Sequence, residues 1–248
     1  NVVDPDEMLK NFGADALRLY VMFVAPPEKE VEWTDSGLKG SFTFLARVWR
    51  LIDPWTDALS RDRTPIDQSA LTDAERALRR KTHDTIKRVT SDLEQRQHLN
   101  TAVSALMELV NELYAFDVAA SAHPTAGSRS KNQALAVFRE AIEALILMLS
   151  PFAPHTAEEL WERTGHPDSL VKAQWPVYDP EVAKADEIVV PVQVNGKVRA
   201  RLTVPATLSE SELRDRALAD HAVQAHTAGK TIKTVVVAKG KLVNVVVQ

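Results

Sequence analysis

Apolar residues recur every three to four positions through most of this chain and at every second position near its end. Early on, Leu17, Tyr20, Val21 and Val24 lie at helical spacing, and Pro26 with Pro27 then removes two backbone donors, so a helix is expected to stop near Ala25. A second helix is expected from Thr34 or Ser36. It carries Phe44, Val48 and Leu51 on one stripe and Leu45, Trp49 and Ile52 on the next, a face wide enough to require a bundle. Gly37 and Gly40, one turn apart at its start, are expected to admit a close neighbour.

Punctuation between the periodic stretches predicts the other helices. Asp4, Pro5 and Glu7 form a helix start, and Gly13 ends that helix. The stretch from Asp53 to Ser69 is polar and reads as a loop. Thr72 with Glu75 makes a capping box that launches a long helix, Asp73 to about Gln97, with Ala77, Ile86, Val89 and Leu93 inward. Asn100 is expected to cap a helix from Thr101 to about Ala120 that carries Val103, Leu106, Met107, Val110, Leu113 and Tyr114. After a small, polar linker, Ser121 to Ser130, a helix runs from Asn132 to Leu149, and a short one follows Pro154 and ends near Gly165. Helices of these lengths with modest loops describe an antiparallel bundle reaching to about residue 165. Residues 166–187 read as a linker.

From residue 188 the period becomes two. Ile188, Val190, Val192 and Val194 alternate, as do Val198, Ala200, Leu202 and Val204, around Asn195 and Gly196. A two-residue loop would pair Val192 with Arg199. A three-residue loop with left-handed Gly196 pairs Val192 with Val198 and Val190 with Ala200, and is the favoured reading. It gathers Lys197, Arg199 and Arg201 on the other face. A helix from about Ser209 to Ala222 and strands from Thr231 to Ala238 and Leu242 to Val247 complete a ββαββ module, residues 188–248. The expected fold class is mostly α: an antiparallel helical bundle followed by a small α+β (ββαββ) domain.

Composition sharpens this division. The 248 residues carry a net charge of −4, yet residues 188–248 hold nine Lys and Arg against four Asp and Glu, so the small module is +5 and the remainder −9. A basic module on an acidic body points to a polyanionic partner or to a solubilising surface. With no cysteine there is no disulfide, thiolate zinc site or thiol nucleophile. Neither a long apolar run nor a signal-like N-terminus is present, so no membrane contact and a cytoplasmic location are expected. The first residue is Asn1 rather than Met, and the expectation is an excised or processed piece.

No catalytic constellation stands out. His221 and His226 are badly spaced for a shared metal, and His83 and His155 read as surface or capping residues. Glu28, Glu30 and Glu32 alternate like a solvated edge. No phosphate loop, zincin pair or serine elbow occurs. Two basic sets remain as candidates for RNA. On the long helix Arg76, Arg80 and Lys87 share a stripe with His83, although Asp73, Asp84 and Asp92 could make that a salt-bridged face instead. The hairpin set, Lys197, Arg199 and Arg201, has few acidic neighbours, and Lys230, Lys233, Lys239 and Lys241 flank the second strand pair. Such a face can grip a phosphate backbone without reading bases. The competing reading is a helical interaction scaffold whose basic sheet binds an acidic protein.

Several strings carry a family resemblance. NVVDPDEMLKNFGADALRLYVMF from Asn1, VEWTDSGLKGSFTFLARVW from Val31, LNTAVSALMELVNELY from Leu99, PFAPHTAEELW from Pro151, VPVQVNGKVRARLTVP from Val190 and GKLVNVVV from Gly240 follow one another in order. Together they resemble the part of bacterial leucyl-tRNA synthetases, of class I, that lies after the KMSKS loop. Where that family commonly has an Asn-Arg pair after the two glycines, this chain has Phe42 and Thr43, so no arginine contact is carried over there. The resemblance implies the end of a catalytic core in residues 1–35, an anticodon-binding-type bundle in 36–165, and a tethered tRNA-binding domain in 188–248. Gly37, Gly40 and Trp33 would then face an interdomain contact. It implies leucine tRNA as partner, docked without reading of the anticodon, together with catalytic and editing domains outside this sequence. ATP and magnesium would belong to that core, so the fragment itself is expected to need no cofactor and to be inactive alone. Zinc cysteines or a coiled-coil arm, features of the isoleucine and valine enzymes, are absent.

Overall fold

The computed structural model describes residues 4–24, 33–116, 128–183, 187–205, 208–238 and 242–248. The chain divides into two compact units, Asn1–Ala183 and Lys184–Gln248. The expected Ala25 helix end, the acidic positions Glu28, Glu30 and Glu32, most of the Ser121–Ser130 linker and the Lys239–Lys241 turn fall outside the described residues.

The first unit is helical. Helix α1 (Pro5–Phe12) is capped by Asp4, whose carboxylate accepts from Asp6 N at 2.9 Å, and it ends at Gly13 with φ 80°. Helices α2 (Ala14–Val24) and α3 (Asp35–Ile52) pack together. The expected stripe of α3 is its buried face, with Phe44, Leu45, Val48, Leu51 and Ile52 inside and Trp49 half-buried. Only one of the two glycines is tightly packed. A Cβ on Gly37 would lie 2.5 Å from Tyr20 Cε2, whereas one on Gly40 would meet nothing within 4 Å. Trp33 lies edge-on to Tyr20, with centroids 4.9 Å apart, so these residues make a contact inside the unit.

The stretch read as a loop from Asp53 to Ser69 contains a short helix, α4 (Thr56–Arg61), held by fully buried Leu59. Two side chains of a later helix, α7 (Ser128–Leu149), fasten the backbone just beyond α4. Arg139 donates to the carbonyls of Asp62 and Thr64, while Gln133 donates to Pro65 O at 3.0 Å and accepts from Asp67 N at 2.7 Å. Helix α5 (Asp73–Ser91) has the expected capping box, Glu75 N to Thr72 Oγ1 at 3.3 Å and Thr72 N to Glu75 Oε2 at 2.6 Å. Its inward face is Leu78, Thr82, Ile86 and Val89, and Ala77 is exposed because bulkier Leu78 takes that place in the helical phase. A π-helical turn, Asp92–Arg96, and left-handed Gln97 lead to α6 (Leu99–Ala115). Its cap position is His98, not Asn100, which sits inside the first turn.

Helix α8 (Pro154–Arg163) receives no side-chain cap from Ala153. Asp15 of α2 supplies one from across the unit, its carboxylate accepting from Thr156 N at 2.6 Å, Thr156 Oγ1 at 2.7 Å and His155 Nδ1 at 2.8 Å. Burial alone would push the Asp15 carboxyl up, but the bonds from Thr156 and His155 outweigh it and hold the group below its usual range. This pins α2 to α8. Asp15→Ala is expected to lower stability by about 1–3 kcal/mol, since it leaves orphaned N–H donors at a helix start. Urea unfolding monitored by circular dichroism checks this, with the deficit shrinking as pH falls and the carboxylate protonates.

Residues 166–183, which lose helical periodicity in the sequence, are packed rather than free. Leu170 is buried, Trp175 Nε1 donates to Thr90 Oγ1 at 2.8 Å, Lys87 Nζ lies 5.7 Å from the Tyr178 ring centroid, and Asp179 N donates to His83 Nδ1 at 2.9 Å. A final turn, α9 (Pro180–Ala183), lies along α5.

The second unit comprises β1 (Glu187–Val194), β2 (Lys197–Pro205), α10 (Glu210–Ala219), α11 (His221–Thr227), β3 (Ile232–Ala238) and β4 (Leu242–Val247). The sheet order is β2-β1-β4-β3, with β1 parallel to β4. Leu213, Ala217 and Val223 of the helices close a core over Val190, Val192, Val194, Val243 and Val245. The single expected helix is two, because Asp220 turns extended (ψ 131°) and its carboxylate caps α11 through Ala222 N and Val223 N.

Candidate nucleic-acid interface

The hairpin that carries the basic set closes differently from the favoured sequence reading. Asn195 and Gly196 both have positive φ, 48° and 79°, and Val194 pairs with Lys197 across a two-residue loop. Further along, Gln193 pairs with Val198 and Val192 with Ala200, so Arg199 is the extra residue of a bulge. The loop is set by bonds distant in sequence. Asn195 donates through Nδ2 to Val247 O at 3.0 Å and accepts from Val247 N at 2.9 Å, while Gly196 N donates to Asn244 Oδ1 at 3.2 Å.

One inserted residue reverses the side-chain alternation, and this separates residues expected to stand together. Arg201 is the register partner of Pro191 and Val198 that of Gln193, on the face away from the helices; Lys197 is the partner of buried Val194, at the edge of the core face. All three cations remain exposed, and among the described residues none of them forms an ion pair. Across the sheet, the register of β3 also shifts by one residue, between Ile232 and Thr234, and the extra residue is exposed Lys233. Both edge strands thus carry a cation at a bulge, which also discourages pairing with another sheet. Lys230 is exposed, with Nζ 3.1 Å from His226 O. Lys239 and Lys241 lie outside the described residues.

The α5 set does not form an open basic stripe. Arg76 pairs with Asp73 at 3.4 Å, half-buried Arg80 is not free, and Lys87 stands over Tyr178. Neighbouring Lys81 and Arg88 both bond Glu108, at 2.8 and 3.1 Å, and the Lys81 bond above all holds that carboxyl below its usual range. His83, expected at the surface, is buried between Glu140 and the Asp179 backbone.

Sequence reasoning missed the pair at the centre of the open sheet face, Gln193 and Asn244. They are register partners, and each lies between buried valines, so the alternation in β1 and β4 was the signal that could have found them. It also missed the ion-pair centre of α5 and α7. Arg79 Nε and Nη2 donate to Glu140 at 2.6 and 2.8 Å, and His83 Nε2 lies 3.4 Å from Glu140 Oε1. Burial raises the Glu140 carboxyl, yet the bonds from Arg79 and His83 prevail and bring it down to about 2. Among the described residues no group of three or more His, Asp or Glu could hold a metal ion, and no helix is long and apolar enough to cross a membrane.

Among the described residues the sheet bears exposed cations without ion pairs, and the helical unit is salt-bridged. Residues 75–214 match the anticodon-binding domain of tRNA ligase, and the chain belongs to that family. Its relatives include the leucine–tRNA ligase of Syntrophobacter fumaroxidans, 47% identical over 247 residues, and that of Geotalea daltonii, 43% identical over 247 residues. Each alignment covers 100% of this chain and 29% of the relative, so the chain spans under a third of their length. A crystal structure of the Agrobacterium radiobacter K84 agnB2 LeuRS, in a ternary complex with tRNA and LeuAMS, is similar over 100% of this chain and 31% of that one, with a TM-score of 0.84 and 31% identity.

Proposed function

We propose that this chain is the tRNA-binding and tRNA-positioning part of a leucine–tRNA ligase. The observation that carries the reading is similarity to leucine–tRNA ligases along the full length of the chain, in both units. In this account residues 1–35 continue a catalytic core, 36–165 form the bundle that docks the tRNA, and 188–248 hold its backbone. Ligation of leucine with ATP and magnesium belongs to the catalytic part, which with the editing domain is the other partner. In this account no chemical step belongs to the residues of this chain. Their contribution is geometric: phosphate contacts far from the reacting atoms fix the RNA so that its 3′ end meets the active site, which lowers the entropic part of the barrier. In this reading the ligase works in the cytoplasm.

A competition gel shift tests the reading. Leucine tRNA should bind the chain and resist an equally charged nonspecific RNA, while the chain alone should catalyse no leucine-dependent exchange of pyrophosphate into ATP. Equal displacement by the nonspecific RNA would count against leucine tRNA as the partner, and exchange activity would count against a purely positioning role.

A further inference from the structure

The face of the sheet turned away from α10 and α11 is uncovered within its unit. One row of register partners crosses all four strands: Val198, Gln193, Asn244 and Val236. The two valines are each 49% exposed, and the amides lie between them. The Gln193 side chain makes no hydrogen bond among the described residues, and Asn244 uses only its oxygen, toward Gly196 N. Arg201 stands on this face beside Pro191, with Arg199 at the same edge and Lys233 at the opposite one. The rims are about 14 Å apart, three interstrand spacings. The only acidic residue in the four strands is Glu187, at the first position of β1.

The unit contains no Phe, Tyr or Trp between residues 184 and 248. Proteins that read unpaired RNA stack its bases on aromatic rings, and this face has none. An acidic helix would use the rim cations but leave two central amides pressed against apolar side chains without partners. A double-helical RNA segment uses every part of the row. Its shallow minor groove displays 2′-hydroxyls, which both donate and accept, as amides do. Riboses can pack on the valines, and the two backbones run past the rims.

From this we infer that the open face takes a double-helical stretch of RNA through its minor groove, with Gln193 and Asn244 bonding 2′-hydroxyls and Arg201, Arg199 and Lys233 bonding the bordering phosphates. The inference rests on the tRNA-binding reading above and adds to it a mode of recognition: shape and sugar chemistry rather than base sequence.

The test measures anisotropy of the whole chain against leucine tRNA, a short RNA hairpin and the DNA hairpin of the same sequence. The RNA hairpin should bind about five- to tenfold more tightly than the DNA one, the size of one good hydrogen bond. Gln193→Ala, and Gln193→Leu as a second variant, should remove most of that preference with DNA binding unchanged, whereas Arg201→Ala should weaken both hairpins alike. Equal affinity for RNA and DNA overturns the inference, as does an intact preference in Gln193 variants that melt like the wild type. Displacement of the RNA hairpin by polyglutamate at equal charge also overturns it and marks an acidic protein as the occupant. Leucine tRNA binding without hairpin preference removes this inference alone; no binding of leucine tRNA removes the reading beneath it.

Discussion

Glu140→Gln should destabilise the helical unit by about 3–5 kcal/mol, because it breaks a buried ion pair from one side. The Arg79 side chain is only 9% exposed and gives Nε and Nη2 to Glu140, while its Nη1 has no partner. Its charge is compensated chiefly by this one carboxylate. The damage extends to residues 174–183. With Nδ1 accepting from Asp179 N, His83 presents Nε2–H to Glu140, so loss of the carboxylate loosens the group that holds that stretch on α5. Urea unfolding of Glu140→Gln beside the wild type measures the effect, and a loss below about 1 kcal/mol would count against the pair. The pH dependence has a definite sign. The Glu140 carboxyl is depressed in the folded state from 4.5 to about 2, so its stabilisation is complete above about pH 4.5 and disappears as pH falls toward 2. The wild type should lose about 3 kcal/mol over that window that the Gln variant, with nothing to protonate at this site, does not lose.

That pair illustrates what a sequence conceals. Helix starts at Asp4 and Thr72 were legible because a cap is a local bond, made within three residues. The buried stripe of α3 and the alternation in β1 were legible because period alone encodes a face. Arg79 and Glu140 are 61 residues apart, and neither helix announces the other. The hairpin is a finer case. Without a bulge, only the three-residue loop kept the cations off the valine face, and the choice fell instead to Asn195, whose amide bonds Val247 from 52 residues away. The strand keeps Val192 opposite Ala200 by ejecting Arg199 into a bulge, and that carries Lys197 to the other face from Arg201. The candidate site was therefore legible in its residue types and less so in their grouping. On α5, Lys87 of the expected stripe meets Tyr178 from beyond α8, and the neighbouring Lys81 and Arg88 are held by Glu108 from α6, partners that come from elsewhere in the chain.

Because Arg199 and Arg201 are exposed, unpaired cations on one edge strand, their joint replacement by alanine should have the largest effect on RNA. Each phosphate contact contributes up to about 0.9 to the slope of log affinity against log salt, so losing two should flatten it by up to about 1.8 and weaken leucine tRNA binding by as much as ~60-fold near 0.1 M salt. Lys197→Ala, at the edge of the other face, should change the slope less than Arg201→Ala. Stability should scarcely move, since none of the three side chains packs in the core. A salt titration of anisotropy reads both quantities, and a slope unchanged by the double replacement would remove this strand from the interface.

The most direct measurement is hydroxyl-radical footprinting of leucine tRNA bound to the chain, since it reports which riboses are covered without reference to any catalytic part. If the chain positions this RNA, a continuous backbone segment is protected in the wild type and shortens when Arg199 and Arg201 are alanine. Uniform cleavage at saturating protein, or a footprint identical in the two proteins, would contradict the account.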